Sequence, residues 1–112
     1  MKNEMITYLN ERISWYKHEQ ERLRSECRMD EAAHVQIAIN VYSIFLSTWK
    51  AVKYDLNETL MRFSSIVSVW DESHRRAVEH DDYGKKFIEE IKIARAMEII
   101  QRAKELERMH HD

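Results

Sequence analysis

Residues 32–52 read AAHVQIAINVYSIFLSTWKAV, and they form the most apolar stretch of a strongly charged chain. Apolar residues recur there in alternating steps of three and four, which places them on one helix face: Val35, Ala38, Tyr42, Phe45, Trp49, Val52 and Leu56. A second apolar set lies on an adjacent face: Ile37, Val41, Ile44 and Ala51. A helix that is apolar around most of its circumference must be covered on several sides. The stretch therefore predicts the central helix of an all-helical bundle.

The same stretch is long enough to be weighed as a membrane span. No Asp, Glu, Lys or Arg occurs from Ala32 to Trp49, and about 20 residues suffice to cross a bilayer. Six polar side chains would then lie in hydrocarbon, namely His34, Gln36, Asn40, Ser43, Ser47 and Thr48. Unpaired polar groups are costly in lipid, and these gather largely on one side of the helix. We therefore expect a soluble bundle and no membrane partner.

The composition favours a single all-α domain. The chain has 112 residues with one glycine and no proline, whereas a sheet protein needs more turn-forming residues. Charged residues make up 34% and hydrophobic residues 44%, so both a solvated surface and a core are available. We predict one domain over residues 1–112, built as an antiparallel bundle of three or four long helices.

Charge and cysteine content limit the classes of partner and the cellular compartment. The net charge is −2 and no long run of one sign occurs, so a general DNA-binding surface is not expected. The single Cys27 cannot form an intrachain disulfide, and the start MKNEMITYLNER carries charges where a signal peptide is apolar. These features predict a cytoplasmic protein. One glycine also rules out a Gly-rich phosphate loop, and no cofactor is predicted.

Three breaks divide the chain into four helices, at residues 28–31, 53–58 and 80–84. Asp30 and Asp55 are the predicted N-caps of the second and third helices, and Asp55 precedes Glu58 at the spacing of a capping box. The third break holds the only glycine, Gly84. The first break has neither Gly nor Pro, so one continuous helix in place of the first two is the alternative.

The fourth helix has an unusual apolar pattern. Its first half is predicted to bury Phe87, Ile91 and Ala94, while its second half carries Ile93, Ala96, Ile100 and Ala103 on roughly the opposite side. The apolar face thus rotates by more than about 90° at 100° per residue. Either the helix bends or its second half packs against another chain. The predicted interface of a homodimer is therefore Ile93, Ala96, Ile100 and Ala103.

Two Glu-x-x-His pairs are candidate metal ligands: Glu31 with His34, and Glu107 with His110. Carboxylate-bridged di-metal bundles use this spacing twice. In an up-down-up-down bundle the two pairs fall at opposite ends, roughly 30 Å apart, and cannot share a metal within one chain. No metal is predicted, and these four residues are the alternative. The end His110-His111-Asp112 is weighed as a weak metal site against a frayed terminus.

A short motif provides an enzymatic alternative. Arg75 and His80, in RRAVEH, resemble the Arg-x4-His motif of the HEPN group of helical-bundle ribonucleases. The resemblance implies metal-independent RNA cleavage in which the arginine holds phosphate and the histidine acts as general base. It covers six residues and departs from the usual pattern at Arg76, where Asn or Asp commonly follows the first arginine. The competing interpretation is a solvated helix end.

A longer resemblance covers about the middle half of the chain. The segments DEAAHVQIAINVYSIFLSTWKAV and VWDESHRRAVEHDD are similar to a group of short uncharacterised bacterial helical proteins, a resemblance that implies no activity. The predicted function is accordingly a helical protein–protein interaction module that associates with itself or with another protein. A HEPN-like ribonuclease or RNA-binding bundle is the alternative.

Overall fold

A computed structural model of the chain describes residues 1–110, and these residues form four α-helices. The helices are α1 (Lys2–Ser25), α2 (Met29–Ala51), α3 (Leu56–Glu79) and α4 (Tyr83–Met109). The predicted all-α bundle is confirmed, with four helices, and the first two helices are separate rather than continuous. Among the described residues, no helix combines the length and the hydropathy needed to cross a bilayer.

Sequential helices run in opposite directions. The Gln20 side chain donates to Gln36 at 2.9 Å, and the Tyr16 ring lies 5.7 Å from the Tyr42 ring. The earlier residue of α1 thus pairs with the later residue of α2, so the two helices are antiparallel. The helices form two hairpins, α1–α2 and α3–α4, and these pairs make the most extensive helix–helix contacts. The two hairpins then pack against each other mainly through α2 and α4.

The core is organised around α2, as its apolar circumference predicts. Tyr42, Phe45 and Trp49 are buried to at least 99% and contact the other three helices through one cluster. The Phe45 ring meets the Phe63 ring edge-on at 5.1 Å, which joins α2 to α3. Edge-to-face aromatic pairs add to the free energy gained from burial itself. The remaining buried members of the cluster are Met5, Leu9, Val41, Leu56, Val67, Ala96, Ile99, Ala103 and Leu106.

Each of the three turns ends its helix in the same way and without glycine. The residues that follow the helix ends adopt left-handed backbone, with φ of 59° at Cys27, 54° at Lys53 and 53° at Asp81. The next N–H in each case reaches back five residues, in the bonds Arg28 to Leu23, Tyr54 to Trp49 and Asp82 to Ala77. This is the Schellman arrangement, in which glycine normally occupies the left-handed position. The turns were weakly signalled because ordinary side chains stand where glycine is expected.

Two helices have the aspartate caps that stabilise a helix N-terminus. The Asp55 side chain accepts from the Glu58 N–H at 3.0 Å, so the predicted cap of α3 is confirmed. Asp82 accepts from the Lys85 N–H at 3.1 Å and caps α4 in the same way. An aspartate at this position satisfies a backbone donor and complements the helix dipole. The turns before α3 and α4 are therefore fixed from both sides.

The predicted cap of α2 is wrong. Its N-cap is Arg28, which makes no side-chain cap hydrogen bond, and Asp30 lies inside the first turn of the helix. There the carboxylate acts on the helix dipole rather than on a free backbone donor. Gly84 was also assigned to a turn, yet it lies in the first turn of α4 and does not have positive φ.

The left-handed position after α2 provides a test of the turn geometry. Lys53→Gly should raise the free energy of unfolding by up to about 1 kcal/mol, because glycine removes the strain of a side chain at positive φ. The matched change Lys50→Gly, at an exposed helical position, should lower it by about 0.5–1 kcal/mol. Urea denaturation with unchanged slope measures both. Destabilisation by Lys53→Gly would contradict the assigned backbone.

Candidate functional site

An open groove of about 410 Å³ lies towards the end of the bundle where the α1–α2 and α3–α4 turns come together. Three helices contribute to its walls, which are mainly apolar: Tyr16 from α1; His34, Val35 and Ala38 from α2; and Phe87, Glu90, Ile91, Ala94 and Arg95 from α4. The volume falls in the range of ligand pockets, but the site is open to solvent along its length.

One exposed aromatic side chain lines the groove, and a second packs against a residue of its wall. On α4, the Phe87 ring is 48% exposed and meets the His34 imidazole edge-on, with the ring centres 4.9 Å apart. On α1, the Trp15 ring is 55% exposed and meets Tyr16 edge-on at 5.0 Å. Large aromatic groups exposed beside an apolar groove are typical of a surface that another molecule covers.

The predicted burial of Phe87 and Ala94 is corrected, since both are exposed and Ile91 is only partly buried. The reason lies in how the two hairpins meet. The second half of α4 packs on the core through its other face, which includes Ile99 and Leu106. In the first half of α4, Phe87 and Ala94 face the groove, where no further helix of the described chain covers them.

The predicted homodimer interface is corrected as well. Ala96 and Ala103 are fully buried in the core, so they are not available to a second chain. Ile93 and Ile100 are partly buried, and Ile100 packs against the same core. The apolar face therefore changes along α4 as predicted. However, the second half of the helix packs on the core, and the face predicted to be buried in the first half is exposed. The first half of α4 carries the uncovered face.

A polar cluster, here called the Glu98 cluster, lies beside the groove and joins three helices. Its members are Tyr8, Arg12 and Tyr16 of α1, Tyr42 of α2, and Arg95 and Glu98 of α4. Tyr8 and Tyr42 both donate to Glu98 Oε2, the second at 2.8 Å, while Arg12 Nη2 donates to Glu98 Oε1 at 3.3 Å. Tyr16 receives a hydrogen bond of 2.6 Å from Arg95 Nη1.

The surroundings of Glu98 favour its charged form. Burial raises the pKa of this carboxyl group, but hydrogen bonds from Tyr8 and Tyr42 and the positive charges of Arg12 and Arg95 outweigh it, so the pKa lies below its usual value. Burial, followed by the hydrogen bond to this carboxylate, raises the pKa of Tyr8. At neutral pH Glu98 is therefore a carboxylate that accepts hydrogen bonds from neutral Tyr8 and Tyr42 and faces the guanidinium groups of Arg12 and Arg95.

The candidate metal ligands lie apart from one another. Glu31 pairs with Arg28, and His34 lies against Phe87 at the end of the bundle that carries the groove. His110 lies within 2.8 Å of Glu4 at the other end. Within residues 1–110 no three His, Cys, Asp or Glu side chains come together in a way that could hold a metal ion. His111 and Asp112, weighed above as part of a terminal metal site, lie outside the described residues.

The candidate ribonuclease residues lie on the exposed end of α3. Arg75 forms ion pairs with Glu72 and Glu79, and its side chain is 56% exposed. His80 is the C-cap residue of α3 and is also exposed. Two carboxylates thus already occupy the guanidinium N–H groups with which Arg75 would bind phosphate. In the part of the chain described, neither residue lines any of the main surface pockets.

Sequence reasoning missed the Glu98 cluster. The apolar spacing of residues 32–52 places Tyr42 on a core face and gives no sign of its hydrogen bond to Glu98. A partial signal exists, because Tyr8, Arg12 and Tyr16 follow one another at steps of four and therefore share a helix face. Their partners on α4 are more than 75 residues away along the chain, and no local pattern indicates them.

The comparisons with known proteins add no functional assignment. No family model, curated protein or solved structure matches the chain. The resemblances to HEPN ribonucleases and to short bacterial helical proteins thus gain no support from these comparisons. Function has to be argued from the groove and the cluster beside it.

The cluster predicts a pH-dependent contribution to stability. Glu98→Gln should lower the free energy of unfolding at pH 7 by about 1–2 kcal/mol, a value reduced for partial exposure. Because the folded pKa of Glu98 is lowered, its contribution is present above the ordinary pKa of 4.5 and is lost as the pH falls through the lowered value. The difference in the free energy of unfolding between wild type and Glu98→Gln should therefore be smaller at pH 3 than at pH 7.

Urea denaturation at both pH values measures this gap. The control is Glu105→Gln, which removes a partly exposed ion pair with Arg102 on the same helix and should change stability by less than about 0.5 kcal/mol. An equal gap at pH 7 and pH 3 would contradict the proposed role of the Glu98 charge.

Proposed function

We propose that the chain is a helical protein–protein interaction module that associates with a second copy of itself through the groove. The observation that carries this proposal is the open apolar groove with the exposed Phe87 ring on its wall. Covering it would remove apolar surface from water, which is the main driving force of association. The shape of the groove and the charges near it favour a second copy over another protein.

The shape of this face suits a two-fold interface. In such an interface the same patch is used on both chains, so a patch that contacts itself needs both a projection and a depression. The groove provides the depression. The exposed rings of Phe87, on the groove wall, and of Trp15, packed against Tyr16 of that wall, provide projections. Two copies can therefore place an aromatic side chain of one in the groove of the other.

The charges near the groove also support self-association. The first turn of α2 is acidic, with Asp30 and Glu31, while the first turn of α4 contains Lys85 and Lys86. Both helices begin at the end of the bundle that carries the groove. Among residues 1–110, Asp30 and Lys85 form no ion pair. If a second copy pairs the acidic turn of one chain with the basic turn of the other, this complementarity would favour self-association over binding to other partners.

The substitution Phe87→Glu tests the proposed interface. The wild-type chain should be a dimer in sedimentation velocity at tens of micromolar, and the variant should be a monomer there. Each chain of a two-fold dimer carries the substitution, so the free energy of apolar burial is lost at two sites. The total loss is about 3–6 kcal/mol, which corresponds to at least a hundredfold weaker dimerisation.

The matched control is Val69→Glu, on an exposed position of α3 that does not line the groove. This variant should remain dimeric, and far-ultraviolet circular dichroism should show unchanged helicity for both. The proposal fails if the wild-type chain is a monomer up to several hundred micromolar. It also fails if Phe87→Glu leaves the dimer intact.

The ribonuclease alternative makes a separate prediction. Because Arg75 is paired with two carboxylates, we expect no cleavage of single-stranded RNA by the purified chain in the presence of a chelator. A fluorescently labelled RNA resolved by gel electrophoresis measures this directly. Cleavage that disappears in His80→Ala, but persists in the exposed-surface variant His18→Ala, would establish the alternative.

A further inference from the structure

We propose that the groove is also a binding site for a free carboxylate with a linear apolar tail, such as a medium-chain fatty acid. The carboxylate would bind Arg95, and the tail would lie along the groove towards Phe87. The binding itself is independent of the proposed function. Its consequence rests on that function, because a ligand in the groove competes with the second copy and dissociates the dimer.

The guanidinium group of Arg95 is positioned to accept such a ligand. Arg95 lines the groove, and its Nη1 atom is held by the Tyr16 hydroxyl at 2.6 Å. The distance from Nη1 to the nearest oxygen of Glu98 is 3.7 Å, which is longer than a hydrogen bond. Within residues 1–110, Nε and Nη2 have no hydrogen-bond acceptor. That edge can hold a carboxylate through two parallel hydrogen bonds.

The charge balance at this end of the groove favours an anion. Arg12 and Arg95 share one carboxylate, Glu98, which already accepts hydrogen bonds from two tyrosines and from Arg12. One positive charge is therefore left over. Because the side chain of Arg95 is 31% exposed, an incoming carboxylate can reach it without crossing the core.

One acidic side chain, Glu90, also lines the groove. It lies on the α3 side, where it is bonded to His74 at 3.3 Å and is within 3.9 Å of Lys86. Its charge is thus offset by neighbours outside the groove. Five residues separate it from Arg95, or about 7.5 Å along the helix axis. It therefore lies beside the path of the tail rather than at the binding site of the carboxylate.

The remaining walls suit an alkyl chain. Val35, Ala38 and Ile91 line the groove between its two ends. From Arg95 to Phe87 the helix rises by about 12 Å, at 1.5 Å per residue. An extended chain of eight to ten carbon atoms has roughly this length. The volume of 410 Å³ is ample for such a chain and lies at the small end of the range for ligand sites.

Isothermal titration calorimetry with decanoate, kept below its micelle-forming concentration, tests the site. The protein should bind one decanoate per chain, and Arg95→Gln should weaken binding by about tenfold or more, since a charge-assisted pair of hydrogen bonds is lost. Decanol, which has the same tail without the charge, should bind at least tenfold more weakly. The control Arg62→Gln, at an exposed arginine of α3 paired with Glu58, should bind as the wild type does.

Sedimentation velocity of the same samples tests the competition. Saturating decanoate should convert the wild-type dimer to monomer, and circular dichroism should show that the helices stay intact. Equal binding of decanoate and decanol, or no effect of Arg95→Gln, would overturn the assignment of Arg95. Absence of binding would overturn the proposal as a whole. A wild-type monomer that binds decanoate through Arg95 would refute the dimer while leaving this site established.

Discussion

The burial of α2 is the constraint on which the other features depend. This helix is apolar around most of its circumference, and Tyr42, Phe45 and Trp49 need partners on more than one side. In the fold, α1 and α3 lie beside α2 and α4 packs against it across the two hairpins. Tyr42, Phe45 and Trp49 are fully covered, whereas His34 and Val35, nearer the start of α2, are only partly buried and line the groove. The candidate site thus includes a part of the central helix that the chain's own helices cover incompletely.

The Glu98 cluster links this packing to the groove. One carboxylate on α4 receives hydrogen bonds from tyrosines on α1 and α2 and an ion pair from Arg12. These bonds set the rotation of α4 about its own axis, because Glu98 has to face the other two helices. Phe87 and Ile91 lie eleven and seven residues before Glu98, so they share its helix face, and with that rotation they line the groove. Among residues 1–110, the same contacts leave one edge of Arg95 without a hydrogen-bond acceptor.

The spacing of apolar residues predicted the features that depend on residues a few positions apart. It did not predict the features that depend on contacts between distant segments of the chain. The 3.6-residue repeat of α2 and the Asp55 cap depend on residues a few positions apart, and both were identified correctly. The three turns were weakly signalled, since left-handed Cys27, Lys53 and Asp81 stand in place of glycine. The change of apolar face along α4 was visible. Which face meets the core was not, because that depends on how two hairpins far apart in sequence come together.

The division into two hairpins also bears on how the molecule forms and opens. Most contacts join residues that are close in sequence, within α1–α2 or within α3–α4, and such local topology is associated with rapid folding. The surface between the hairpins depends on contacts between distant segments, so each hairpin can assemble before the two meet. Opening along this seam would separate the hairpins while keeping the hydrogen bonds within each helix. The groove lies on that seam, so opening the seam would widen the groove without unfolding any helix.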